Sequence, residues 1–128
     1  SDGGSRGNPG PAACAIIIKD GQNKILLEKS LYLGEATNNQ AEYHGVILGL
    51  TEAKNLQLQK QAVSFYLDSE LVAKQLKKEY KVKKPELQKL FVKAWNMLLN
   101  FSKLKFIHVK REKNQEADAL LNKELDAH

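Results

Sequence analysis

The order of strand-like and helix-like segments constrains the fold of this chain more than any other feature of its sequence. Residues 12–19 (AACAIIIK) and 24–33 (KILLEKSLYL) have strand character, and residues 20–23 (DGQN) between them form a hairpin-turn sequence. With a short strand at the N-terminus, these segments predict a three-stranded meander. Two later strands, at residues 62–68 and 104–110, are separated by helical patterns. A meander followed by alternating helices and strands predicts a mixed sheet flanked by helices, so the fold class is α/β.

Four helices are predicted around the later strands. The first follows residues 37–40 (TNNQ), which have capping-box spacing, and a short lysine-rich helix follows Ser69. Pro85 stands at the favoured first position of a helix that runs to about Phe101, and the last helix spans 114–126. Small residues recur at every fourth position of the first helix: Ala41, Gly45, Gly49 and Ala53. That stripe predicts that the first helix lies close to the sheet.

Length and composition are those of a single domain, residues 1–128, because 42% hydrophobic residues can supply a core without covalent staples. The one cysteine, Cys14, excludes an internal disulfide, and its apolar neighbours predict a buried thiol without a catalytic role. Trp95 and Met97 are expected in the core rather than as a platform for base stacking. The apolar runs are too short to cross a bilayer and no signal peptide is recognisable, so a cytoplasmic monomer without membrane contact is expected.

Basic residues are concentrated in two places along the chain. The 20 Lys and Arg residues exceed the 15 Asp and Glu residues by five. Residues 74–93 hold eight lysines against two glutamates, and residues 103–113 hold five basic residues against one glutamate. Such local excess indicates a phosphate-bearing partner, with a solvated surface as the alternative.

Four acidic residues stand near element boundaries in this scheme. Asp2 lies on the first strand, Glu42 early in the capped helix, Asp68 at the end of the fourth strand, and Asp118 early in the last helix. Each has a structural explanation when taken alone, since acids favour the positive end of a helix and Asp68 could cap the helix beginning at Ser69. The four together indicate a shared site.

Four segments, DGGSRGNPGP, TNNQAEYHG, LDSELV and REKNQEAD, resemble in order and spacing the signature segments of type 1 ribonuclease H, and the resemblance covers essentially the whole chain. It implies a five-stranded mixed sheet, three antiparallel strands followed by two parallel ones, with helices on both faces. It also implies that Asp2, Glu42, Asp68 and Asp118 bind two divalent metal ions. The implied activity is endonucleolytic hydrolysis of the RNA strand of an RNA/DNA hybrid, leaving 5′-phosphate and 3′-hydroxyl ends.

Carboxylates suit the chemistry that this resemblance implies. Hydrolysis of a phosphodiester needs an activated water and neutralisation of the charge on the attacking and leaving oxygens, which two Mg²⁺ ions about 4 Å apart supply. Mg²⁺ prefers oxygen ligands, so a site of acids fits it better than one of histidine or cysteine, and Mn²⁺ is an alternative. Clustered acids repel one another without cations.

The resemblance also assigns the hybrid-binding residues. Backbone and small polar groups would reach the minor groove of the hybrid, where the 2′-hydroxyl distinguishes RNA from DNA; they belong to Gly3, Gly4, Asn8, Asn38, Asn39 and Gln40. Ser69 would touch a phosphate or only start a helix, and for Asn38 and Asn39 the alternative is helix capping. The lysines expected to contact the phosphates of the hybrid are Lys77, Lys78, Lys81, Lys83 and Lys84.

Three departures from the family pattern stand out. Only Ser1 precedes the first acid, which indicates that an upstream segment was removed or is absent from this sequence. The segment LKKEYKVKKPEL is too short for the basic protrusion that some members carry. A loop with glycine and histidine before the final acid is also missing, and Arg111 lies nearest to its place.

A catalytic role is therefore predicted for Arg111, with an ion pair to Glu112 or Glu116 as the alternative. His108 falls within the last strand and is predicted to be structural. Two competing functions remain open: a DNA-cutting or recombining nuclease of the same fold, and a module that binds hybrids without cutting them. The order and spacing of the four segments disfavour the first, and the retained acids disfavour the second.

Overall fold

The computed structural model describes residues 1–128 and contains five strands and four α-helices. The strands are β1 (Asp2–Ser5), β2 (Gly10–Lys19), β3 (Ile25–Ala36), β4 (Ala62–Leu67) and β5 (Lys103–His108). The helices are α1 (Asn38–Asn55), α2 (Glu70–Leu76), α3 (Pro85–Leu98) and α4 (Gln115–Asp126), and a 3-10 turn (Arg111–Asn114) precedes α4. The predicted order of elements is confirmed. None of the helices combines the length and apolar character that crossing a bilayer requires.

The strands form an antiparallel β1–β2–β3 meander and a parallel β4–β5 pair, as predicted for the five-stranded α/β fold. The nitrogen of Ser1 donates a hydrogen bond to the carbonyl oxygen of Tyr66 (3.1 Å), which links the start of β1 to β4. Because β1 pairs with β2 only at residues 12–15, the rest of β2 faces β4 across a cleft of about 530 Å³.

Helices cover both faces of the sheet, and β2 shows why. Its alternate residues point to opposite faces, so that Cys14 packs towards α1 whereas Ala13 and Ala15 pack against Leu121 and Leu125 of α4. Cys14 is fully buried, as predicted. The larger core lies on the α1 face and joins α1, α2 and α3 to β4, with Leu50, Leu67, Val72, Leu87 and Ala94 among its buried members.

The small-residue stripe of α1 packs closely against the sheet, which confirms the prediction made from its spacing. A Cβ at Gly49 would collide with the ring of Phe65, and a Cβ at Gly45 would lie 3.1 Å from the carbonyl oxygen of Asp2. The approach is reciprocal, since a Cβ at Gly3 would collide with the backbone of Ala41. These three glycines bring α1 against β1 and β4, which would be impossible with larger residues at the contact points.

The predicted capping box opens α1. The side chain of Thr37 accepts the backbone N–H of Gln40 (3.2 Å), and Oε1 of Gln40 accepts the N–H of Thr37 (2.8 Å). The predicted hairpin turn at residues 20–23 is also present, with Oδ1 of Asp20 accepting the N–H groups of Gln22 and Lys24. The hairpin turn joins β2 to β3, and the capping box fixes the point at which α1 begins after β3.

Some predictions about individual positions are wrong. Helix α3 ends at Leu98 rather than Phe101, because the N–H of Phe101 bonds to the carbonyl of Leu98 in a tight turn and the ring enters the core. Met97 packs against the core as expected, but Trp95 is only half-buried and stacks on Phe91 at the surface.

His108 also differs from the prediction. It is the last residue of β5 and its side chain is exposed, so it does not pack in the interior of the strand as expected. The strand ends at His108, and the N–H of the next residue, Val109, still bonds to the carbonyl of Leu67 at the end of β4. A packing role for the imidazole of His108 has no support in this arrangement.

Candidate active site

Three of the four predicted acids converge at one place in the fold. Asp2 begins β1, Glu42 is the fifth residue of α1, and Asp68 directly follows β4. A carboxylate oxygen from each lies within 4.8 Å of those of the other two. Asp2 and Glu42 are buried, with 4% and 5% of their surface exposed. Acids that are distant in the sequence therefore meet at one largely buried place.

The close packing of α1 places Glu42 beside Asp2. Gly3 and Gly45 let the backbones of β1 and α1 approach each other on either side of this pair. Glu42 lies beyond the first turn of α1, so stabilisation of the helix end does not explain it. Oδ1 of Asp2 accepts the N–H of Gly3 (2.9 Å), which fixes the orientation of that carboxylate.

The structural explanation for Asp68 is also excluded. Helix α2 is capped by Ser69, whose side chain accepts the N–H of Val72 (3.3 Å), so Asp68 is not the cap. The predicted alternative for Ser69, that it starts a helix, is what the structure shows. Asp68 is left to face Asp2 and Glu42.

Two carboxylate oxygens at this site have no hydrogen-bond partner although they are buried: Oε2 of Glu42 and Oδ2 of Asp68. A buried polar atom without a partner costs about 1–3 kcal/mol, and more when it is charged. A cation would satisfy both oxygens, and an all-oxygen donor set suits Mg²⁺ or Mn²⁺ better than softer metals. The residues present therefore fit a divalent metal centre.

Burial and mutual repulsion shift the acids away from their ordinary ionisation. Burial raises the pKa of Asp2 to about 7, and the nearby charges of Asp68 and Asp118 add to the rise. The pKa of Glu42 is raised well above its usual range, first by burial and then by Asp2 and Asp68. A bound cation would therefore stabilise the ionised form of these carboxylates.

Asp118 borders this cluster without belonging to the group of three. It lies half-buried in the first turn of α4, close enough to Asp2 to raise the pKa of that carboxyl. The side chain of Asn114, just before α4, donates to the carbonyl oxygen of Ser1 (2.8 Å) and so ties the start of α4 to the residue before Asp2. Sequence analysis missed Asn114, whose position before a helix suggests an ordinary cap, although its side chain makes no capping bond.

The glycine-rich turn and the start of α1 are bonded to each other at the surface. Oδ1 of Asn8 accepts the N–H of Asn38 (2.9 Å), and Oδ1 of Asn38 accepts the N–H of Ser5 (2.8 Å). Because Thr37 is the cap of α1, capping is not the role of Asn38 or Asn39. The reciprocal bonds hold this polar surface in one shape.

The residues predicted to contact the minor groove of a hybrid differ in how accessible they are to a ligand. The space beside Gly3 is filled by α1, and a Cβ at Gly4 would lie 3.3 Å from Leu121, so packing explains both glycines at least in part. Oε1 of Gln40 is used in the capping box. Asn39 instead lines an open groove beside α2, so it is available to a ligand. Contact of these residues with a hybrid stays a prediction.

The lysines that the sequence groups together are divided by the fold. Lys81, Lys83 and Lys84 line the groove of Asn39, whose volume is about 550 Å³. Lys78 instead places its ammonium 4.1 Å from the ring centroid of Trp95. A second depression holds Lys77 together with Trp95. The run is therefore not one continuous surface, a separation that linear spacing could not reveal.

Arg111 is exposed in the 3-10 turn that leads into α4. The alternative role predicted for it, an ion pair with Glu112 or Glu116, is not found: Glu116 pairs with Lys19 (2.6 Å) and Arg111 makes no ion pair. Its guanidinium is therefore free to meet a ligand, and its catalytic role stays a prediction.

Comparisons with known proteins point to one family. A family model described as reverse transcriptase-like matches residues 1–124. Ribonuclease HI of Halobacterium salinarum is 40% identical over 125 residues, covering 98% of this chain and 62% of that protein. A bifunctional protein of Mycobacterium tuberculosis is 42% identical over 128 residues, covering 99% of this chain and 35% of that protein. The chain thus spans about a third of the length of the mycobacterial relative.

Solved structures agree with the sequence comparison. RNase H1 from Halobacterium salinarum has a TM-score of 0.93 at 39% identity, covering 99% of this chain and 95% of that one. LC11-RNase H1, solved in complex with RNA/DNA hybrid, has a TM-score of 0.94 at 40% identity, covering 98% and 94%. The arrangement of elements is shared over nearly the full chain. This chain therefore belongs to the type 1 ribonuclease H family.

Proposed function

We propose that this chain is an endoribonuclease that hydrolyses the RNA strand of RNA/DNA hybrids. The observation that carries the proposal is the buried cluster of Asp2, Glu42 and Asp68, with two carboxylate oxygens that lack a partner. The relatives support it, because one is named ribonuclease HI and another was solved with an RNA/DNA hybrid.

The metal centre would be held by the three clustered acids, with Asp118 completing it from α4. We infer two divalent ions, Mg²⁺ in the first place and Mn²⁺ as an alternative. Bound ions of this kind supply activation of water and neutralisation of the charge that develops on the attacking and leaving oxygens. The low exposure of Asp2 and Glu42 strengthens these electrostatic interactions, since little water surrounds them.

In the reaction, water loses one proton as its oxygen bonds to the phosphorus atom, and the bond between phosphorus and the 3′ oxygen of the RNA breaks. The released 3′ oxygen gains a proton, so the products are a 3′-hydroxyl and a 5′-phosphate. Asp2, oriented by the N–H of Gly3, and Glu42, held by the packing of α1, keep their carboxylates fixed during this exchange. Arg111, exposed and without an ion pair, would hold a phosphate oxygen or assist product release.

Hybrid recognition would occur on the surface beside the acids. The bonded pair Asn8 and Asn38 presents its remaining amide groups, and Asn39 lines the adjoining groove with the lysines of the α2–α3 segment. Polar groups of this kind can read the 2′-hydroxyl in the minor groove, while lysines contact the backbone phosphates. Action as a monomer without a protein partner stays a prediction.

Side-by-side cleavage of labelled RNA/DNA, RNA/RNA and DNA/DNA duplexes, with Mg²⁺ or Mn²⁺, tests the proposal. We expect cleavage of the RNA strand in the hybrid alone, with 5′-phosphate ends detected by their sensitivity to phosphatase. Cutting of DNA/DNA would favour the nuclease relative of the same fold. Tight binding of the hybrid without cleavage would favour the binding module, and either result would overturn the proposal.

A further inference from the structure

In the segment that joins α2 to α3, residues 81–83 are held by side-chain amides rather than by regular secondary structure. Nε2 of Gln88 donates to the carbonyl oxygens of Val82 (2.9 Å) and Lys83 (3.5 Å), and Nε2 of Gln75 donates to that of Lys81 (3.4 Å). The next carbonyl, of Lys84, accepts backbone N–H groups from the first turn of α3. Four consecutive carbonyls, residues 81–84, are therefore engaged by the two helices.

Gln75 is fixed in turn by a buried bond from the helix that carries Glu42. The hydroxyl of Tyr43 donates to Oε1 of Gln75 (2.6 Å), and these two residues are 0% and 3% exposed. With Oε1 held by Tyr43, the amide of Gln75 can only present Nε2 to Lys81. The bonds thus run from the residue next to Glu42, through α2, to the lysine segment.

This arrangement determines where the lysines stand. The backbone of residues 81–83 is turned towards the protein and Val82 packs against the main core, while Lys81, Lys83 and Lys84 line the groove beside Asn39. A linker without these bonds would sample many conformations, and a ligand would have to order it on binding. Ordering the segment in advance lowers that entropic cost.

We propose that Gln75 and Gln88 are positioning residues for hybrid binding, which hold the backbone of residues 81–83 so that the lysines meet the phosphates of the duplex. The inference rests on the proposed function, because it assigns the lysine groove to the hybrid. Neither glutamine contacts the acids, so their contribution lies in affinity and leaves the chemical step unchanged.

The test compares Gln75→Met, Gln88→Met and the double variant with the wild-type chain. Methionine keeps the length of the side chain and helix preference but removes the amide donors. We expect the double variant to raise KM for the hybrid about tenfold, on the scale of ordering two or three long side chains on binding, with kcat within about twofold of wild type. Backbone amides of residues 79–84 should exchange faster with solvent.

Thr51→Val is the matched control, because it removes a side-chain hydrogen bond to Ile47 inside α1 without touching the lysine segment. It should leave KM and amide exchange of residues 79–84 unchanged, even where the melting temperature falls. Because Gln88 is exposed, the Gln88→Met variant should fold normally. If Gln75→Met proves unstable, Gln88→Met alone still tests the positioning role.

The outcomes separate this inference from the proposed function. A folded double variant with wild-type KM, or Gln88→Met with unchanged exchange of residues 79–84, would overturn the positioning role while wild-type cleavage still supports the ribonuclease. A wild-type chain that neither binds nor cleaves the hybrid would overturn both. A fall in kcat with KM unchanged would also contradict the inference, because it would place the glutamines in the chemical step.

Discussion

Replacing Asp68 by Asn should stabilise the metal-free protein while abolishing its response to metal. The change removes one negative charge from three carboxylates that lie within 4.8 Å of one another, and it keeps the shape of the side chain. Two unit charges at that distance repel by about 3 kcal/mol at an effective dielectric constant of about 20. Protonation of its neighbours reduces this, since the pKa values of Asp2 and Glu42 are raised. We therefore expect a gain of about 1–2 kcal/mol.

The assay is thermal unfolding in EDTA and in saturating Mg²⁺, at a pH above the pKa of Asp2. In EDTA, the variant should melt about 3–10 °C above the wild-type chain, the shift that such a free-energy change causes in a domain of this size. Mg²⁺ should raise the melting temperature of the wild-type chain by binding to the folded state, and raise that of the variant much less. Cleavage of the hybrid by the variant should fall at least about a hundredfold.

Glu28→Gln is the matched control, because Glu28 is an exposed acid of β3 that makes no ion pair. It should change neither the melting temperature in EDTA nor the response to Mg²⁺. An Asp68→Asn protein that is less stable than wild type in EDTA would show that the acids do not repel as argued. Wild-type cleavage together with a wild-type response to Mg²⁺ would refute the assignment of Asp68 to a metal centre.

Three other perturbations test separate parts of the structure. Arg111→Ala should lower kcat about ten- to a hundredfold with little change in melting temperature, because the guanidinium makes no ion pair; normal turnover would remove it from the site. Gly49→Ala should lower the free energy of unfolding, measured in urea, by about 1–3 kcal/mol, because the added methyl group collides with a phenylalanine ring of β4. An unchanged midpoint of unfolding would contradict the close packing of α1. Joint replacement of Lys81 and Lys84 by Gln should reduce the slope of log Kd against log salt by about 0.9 for each phosphate that the protein no longer neutralises. Lys78→Gln should leave this slope unchanged, because the ammonium of Lys78 lies on the ring of Trp95.

The fold was accessible from the sequence because it depends on local or repeated signals, and the acidic cluster because four segments resemble those of a known family. The apolar run of β2, the capping box at Thr37 and the four-residue stripe of α1 are each signals within a single element. The family segments then placed Asp2, Glu42 and Asp68 on those elements in the correct order. Agreement between local preference and global packing is what makes such signals reliable.

Features that depend on contacts between distant segments could not be predicted in the same way. Trp95 is an aromatic residue of the kind that usually packs in a core, yet it is only half-buried, because α3 turns Leu87 and Ala94 into the core instead. His108 has strand-interior spacing but stands exposed at the end of β5. Asn114 looks like a helix cap but bonds to the carbonyl of Ser1. In each case the local sequence is compatible with more than one environment for the residue, and the surrounding fold determines which environment is adopted.

The division of the lysine run shows why such contacts matter for function as well as for packing. Counted along the chain, Lys77 to Lys84 form one basic stretch, and any pair of them should contribute equally to phosphate binding. In the fold, a left-handed residue at Lys78 (φ 62°) ends α2 and turns the chain, so that the later lysines reach the groove of Asn39 and the earlier ones face Trp95. Charge near Asn39 lies beside the proposed hybrid-binding surface, whereas charge over the indole ring is held by an aromatic contact. If neutralising either group of lysines weakened hybrid binding equally, the division of the run would have no functional meaning. The lysines would then attract the hybrid through their summed charge rather than through contacts at defined positions.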